Sequence, residues 1–170
     1  MANAPTLLSS CAAAASAKEA AFRITAAPPP PRAARVVALD SGAAAAVREI
    51  ATQPWRGAQF LSCRTARGNG RADTDADPVL VTADGREARL SDTLGDADFV
   101  MMVATSGAGA AVASAIGAAC TVRGITTAGL IVGADGSAEA AVTALRPHAR
   151  VLLVSHDASD VAELLNAVGA

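Results

Sequence analysis

An α/β domain with a mainly parallel sheet covered by helices on both faces is what the sequence predicts, from three observations. Beyond Arg35, short β-branched and apolar runs alternate with alanine-rich stretches of helical length. Several of those stretches begin at a residue suited to capping a helix, namely Ser91, Ser137 and Asp157. Finally, 52% of the 170 residues are hydrophobic but only 2% are aromatic, so the chain can bury one core, built from Ala, Val, Leu and Ile in close layers.

Taken in order, residues 1–33 are Ala-rich, short of acid and end in Pro28 to Pro31, which reads as a disordered tail with a stiff polyproline spacer before a domain over 34–170. "LLSSC" at Leu7 to Cys11 looks like a lipoprotein cleavage box, but no positive charge precedes it and the apolar stretch is short. A transit peptide is the alternative reading of the tail. Strands are expected at Arg35–Leu39, Gln59–Cys63, Asp98–Ala104, Ile125–Val132 and Arg150–Ser155. Helices are expected over Gly42–Thr52, Ser91–Asp96, Gly109–Val122, Ser137–Leu145, where Pro147 ends it, and Ala158–Val168. "VLVTADGREARL" carries two short extended arms about Asp84-Gly85, a β-hairpin insertion beside the main sheet, preceded by a mobile surface loop over Ala66–Pro78. The whole is a Rossmann-like three-layer arrangement.

Charge and composition narrow the functions. A net charge of -2 gives no electrostatic reason to bind nucleic acid or an anionic membrane, and the scarcity of aromatics removes stacking platforms for bases. No run approaches the ~20 apolar residues of a spanning helix. Cys11, Cys63 and Cys120 have neither disulfide nor zinc spacing, and a reducing cytoplasm fits them. Cys63 and Cys120 fall in apolar runs and read as small core residues. Ser155, His156 and Asp157 name the residue types of a catalytic triad, but neighbours in sequence cannot converge as nucleophile, base and orienter. His156 follows a strand, at the edge where open α/β sheets bind ligands, and otherwise reads as a solvent-facing helix start. Gly133, Asp135 and Gly136 form a turn, with a ribose contact as the alternative.

An ordered series of short motifs resembles the amino-terminal nucleotide-binding half of the FtsZ/tubulin-like GTPases. It comprises "VVALDSGAAAAV", "GAQFLSCRTA", "LGDADFVMM", "GITTAGLIV" and "LRPHARVLLVSHD", and spans about Arg35 to Asp157. The resemblance implies a phosphate-binding turn where this chain reads "GAGAAVA". Gly107 and Gly109 persist, but Ala108, Ala111 and Ala113 stand for glycines and Ala110 and Val112 for threonines. Methyl groups there crowd phosphate oxygens, and the missing hydroxyls remove donors. The first turn is eroded to "DSGAAA", with Asp40 adding a negative charge that faces the phosphates. What persists of a nucleotide site is carried by Ser41, Gly42, Arg64, Thr105, Ser106, Gly107 and Gly109, Arg64 being either a phosphate partner or a solvated loop charge. In the resembled family the catalytic acids lie beyond the central helix, and the sequence given ends at Ala170. The expectation is a degenerate domain that acts as a binding or regulatory module, with a vestigial GTP/GDP site and no hydrolysis of its own. Its partner would be another protein, such as a full-length FtsZ-like protein, or a second copy of itself. A minimal GTP-binding protein and a nicotinamide- or flavin-binding Rossmann protein, reading "SGAGAAVA" as a variant dinucleotide fingerprint, are the alternatives.

Overall fold

The computed structural model describes residues 30–63, 77–133 and 137–170. The expected mobile loop falls mostly outside them, as do Arg64, Asp135 and Gly136, and the expected tail does up to residue 29. Residues Pro31–Ala170 form one compact unit. Arg32 and Ala33 are tied into it, since the Arg32 N–H donates to Gly169 O at 2.9 Å and the Ala33 N–H to Asp98 Oδ2 at 3.2 Å.

Five apolar runs become the parallel strands β1 (Ala34–Ala38), β2 (Ala58–Cys63), β5 (Phe99–Ala104), β6 (Thr126–Val132) and β7 (Val151–Ser155). Each lies within about a residue of its expected start. The hairpin strands are β3 (Val79–Thr82) and β4 (Glu87–Arg89), turning at Gly85 with φ 84°. They do not lie beside the sheet but extend it. β3 runs antiparallel to β2, with Leu61 opposite Thr82 and Cys63 opposite Leu80, because the outer edge of β2 would otherwise leave its backbone donors open. The seven strands stand in the order β4-β3-β2-β1-β5-β6-β7. One border, β4, is three residues long with Glu87 and Arg89 exposed; the other, β7, is "VLLVS".

Helices α1 (Ser41–Ile50), α3 (Ala110–Arg123), α4 (Ser137–Leu145) and α5 (Asp160–Val168) cover the sheet. In α1 the residues Ala43, Val47 and Ile50 recur at helical spacing and face inward. They meet Val36, Met101, Phe60 and the α5 residues Val161 and Leu165 in the core of one face. On the opposite face, Ile116 and Cys120 of α3 and Ala141 and Leu145 of α4 pack on Val37, Met102 and Ile131. Gly124, with φ 70°, ends α3 in the left-handed conformation that glycine adopts without strain. Two helix starts differ from expectation. The helix foreseen at Ser91–Asp96 is the single turn α2 (Leu90–Thr93), in which Ser91 is no cap; its N–H donates to Asp77 Oδ1 at 3.0 Å. The buried Arg35 stops that turn by donating to Thr93 O at 2.9 Å while pairing with Asp96. Asp157 accepts from the Ser159 N–H at 2.8 Å, organising the turn before α5 rather than the helix's first residue. Among the described residues no helix is long and apolar enough to cross a membrane.

Candidate functional site at the switch point

Sequence order reverses direction across β1, whose neighbours are β2 on one side and β5 on the other. Ligands of open parallel sheets bind outside the carboxyl ends of strands at such a switch point. The two turns there are Leu39-Asp40, between β1 and α1, and Thr105-Ser106, after β5. The Leu39 N–H donates to Val103 O at 2.9 Å, holding the turns side by side.

Asp40 dominates this junction. Its backbone is extended and its carboxylate caps α1, accepting from the Ala43 N–H at 2.9 Å. The same carboxylate reaches across 65 residues of sequence to accept from the Thr105 N–H at 2.8 Å and the Thr105 hydroxyl at 2.6 Å. It also accepts from the Ser106 N–H at 3.0 Å and the Ser106 hydroxyl at 3.3 Å. Asp40 is only 8% exposed. Burial pushes its carboxyl pKa up, but the hydrogen bonds from Ala43, Thr105 and Ser106 outweigh this and hold it below the ordinary value. A short 3-10 turn, Gly107–Gly109, then leads into α3, with the Ser106 hydroxyl accepting weakly from the Ala108 N–H at 3.4 Å.

The structure brings together Ser41, Gly42, Thr105, Ser106, Gly107 and Gly109. The glycines are closed in by protein. A Cβ on Gly42 would lie 2.3 Å from Thr105 Oγ1, one on Gly107 2.8 Å from Ala140 Cβ, and one on Gly109 2.5 Å from Leu39 Cβ. Each glycine thus lets one segment of this chain approach another, while Ala108, Ala110 and Ala111 face solvent. What the motif reading missed is that Asp40 is an acceptor for both turns. Its sequence signal is local, an Asp directly before the "SGAAAAV" helix, the ordinary pattern of an N-cap.

The remaining candidates among the described residues do not assemble a reactive group. Burial raises the Cys63 thiol to about 12, helped by the charge of Asp40, and raises Cys120 to about 11 against the opposing charge of Arg123. Both are protonated at neutral pH and poor nucleophiles. The Ser155 hydroxyl pairs with the carboxylate of Asp160, and His156 is exposed. Cys120 is buried in the core as expected, and Cys63, half-buried, packs against it. Compared with known proteins, the chain matches no family model, and the search of curated proteins finds no match.

Proposed function

We propose that this chain is a degenerate FtsZ/tubulin-like nucleotide-fold domain that acts as a binding or regulatory module and hydrolyses no GTP of its own. One observation carries the reading: at the switch point, N–H groups of both turns, from Ala43, Thr105 and Ser106, already donate to the buried Asp40 carboxylate, which sets an internal anion directly before the Gly107–Gly109 turn. A nucleotide phosphate would have to displace a buried, hydrogen-bonded carboxylate or approach it as a like charge, and every 1.4 kcal/mol so lost weakens binding about tenfold. The same obstacle meets the pyrophosphate of a dinucleotide, which argues against both alternatives. Cys63 and Cys120 are free thiols, which suits a reducing cytoplasm. The module's partner is then another protein or a second copy of this chain, met away from this turn.

The experiment compares wild type with Asp40→Gly, glycine being tolerated at an N-cap. Calorimetry on the wild type should give no GTP or GDP binding at micromolar concentration and no phosphate release above background. Inorganic phosphate should raise the melting temperature of Asp40→Gly and leave that of the wild type unchanged, since a ligand stabilises only the state that binds it. Micromolar GTP binding or concentration-dependent phosphate release by the wild type would overturn the reading.

A further inference from the structure

The β7 border of the sheet is built unlike the β4 border. Val151 is 52% exposed, Leu153 41% and Val154 53%, in a strand with no charged residue. At the far end of the strand the Gly133 N–H donates to Ser155 O at 2.9 Å. By the alternation of a strand, Val151, Leu153 and Ser155 therefore bond inward to β6, and the N–H and C=O groups of Leu152 and Val154 turn outward, away from it. Against the same border lies a cavity of 370 Å³ lined by Leu153 and Val154 of β7 and by Glu163, Leu164 and Ala167 of α5.

We propose that this border pairs with the β7 border of a second copy, antiparallel about a two-fold axis through Leu153. The arrangement is self-complementary at three levels. Leu153 is the middle residue of β7, so an axis through it sets Leu152 opposite Val154 of the other copy on either side, and their outward N–H and C=O groups can exchange reciprocal hydrogen bonds. Leu164 lies at the middle of α5, on the same border, so the axis that pairs the strands sets the two α5 helices antiparallel with Leu164 against Leu164 over the cavities. Charge agrees with this sense of pairing. Placing Leu153 opposite Leu153 sets Arg150 opposite His156 and beside Asp157. Arg150 is exposed and has no ion pair among the described residues, and Asp157 is exposed at the far end of the strand. A parallel approach would put Arg150 against Arg150 and Asp157 against Asp157, so the charges select the antiparallel one. The pairing names a partner for the module proposed above but rests on β7 rather than on Asp40. Nucleotide binding by the wild type, which would overturn the earlier reading, leaves this one standing.

Sedimentation velocity of the full chain from micromolar to submillimolar concentration tests it. The expected result is a concentration-dependent species of twice the chain mass. Leu153→Lys should weaken dimerisation by about tenfold or more, since a lysine on an edge strand opposes pairing. Arg150→Asp and Asp157→Arg should each weaken it, and the double exchange should restore it, because the attraction is the same with its ends reversed. Circular dichroism melts confirm that each variant is folded. A monomer at every concentration, a dimer indifferent to Leu153→Lys, or a double exchange no tighter than its single variants would each overturn the proposal.

Discussion

The middle of the sheet and its β7 border treat their backbone donors in opposite ways. Where β1 and β5 end, the N–H groups of Ala43, Thr105 and Ser106 converge on one carboxylate that the chain itself supplies. Along β7 the outward groups of Leu152 and Val154 meet nothing from their own sheet, and the side chains of Val151, Leu153 and Val154 beside them are apolar and open. A donor already satisfied inside the fold stabilises that fold and offers little to a ligand, whereas an unsatisfied one at an edge gives recognition at little cost to the monomer. At the switch point these donors serve the fold, and binding is proposed at the rim instead.

The comparison breaks if the middle proves insensitive. Asp40→Ala removes the acceptor from three N–H groups and two hydroxyls at once, so it should lose about 3 kcal/mol or more in urea unfolding, with Asp40→Asn intermediate because its amide retains only one acceptor oxygen. A loss below about 1 kcal/mol for Asp40→Ala would mean that the junction holds without its carboxylate. Next in size, Gly109→Ala should cost about 2 kcal/mol, because the added carbon meets both Leu39 Cβ at 2.5 Å and Leu39 O at 2.8 Å. Gly85→Ala in the hairpin turn meets nothing within 4 Å and should cost only the strain of its positive φ, about 1 kcal/mol.

Acid sharpens the same contrast. Asp40 has its folded pKa below the unfolded one, so its ionisation contributes stability that is fully present above the unfolded value of about 3.9 and is lost as pH falls through the folded value. The stability gap between wild type and Asp40→Asn should therefore be constant near neutrality and narrow below about pH 4. The smallest effect belongs to the rim. In dilute solution, where any dimer has dissociated, Leu153→Lys should change unfolding stability by no more than about 0.5 kcal/mol, since the side chain is already 41% exposed.

The parallel strands were legible in the sequence because a strand buried on both faces is an uninterrupted apolar run, as "FVMMVA" shows. Helix α4 was legible between its Ser137 start and Pro147. Harder to read was anything decided by a distant partner. Ser91 is a good cap by its type, yet Asp77 takes its N–H and Arg35 ends the turn it belongs to. The hairpin was visible from Asp84-Gly85, but its attachment to β2 depends on an edge that only the folded sheet possesses. Gly107 and Gly109 were read as positions where a phosphate comes close. That Ala140 and Leu39 approach them was not legible, because a missing Cβ does not say which neighbour fills its room. Asp40 unites both limits: its cap of α1 is local, and its hold on Thr105 and Ser106 lies 65 and 66 residues away.

The shortness of β4 has a consequence for how far any assembly can go. A sheet that could be extended at both borders would add copy after copy and grow into a fibre. Here the far border offers three residues whose exposed Glu87 and Arg89 surround too short a ladder to template another strand. Among the described residues the sheet then has a single border open to strand addition, and the proposed two-fold contact would consume it in both molecules at once. Assembly of that kind would stop at two.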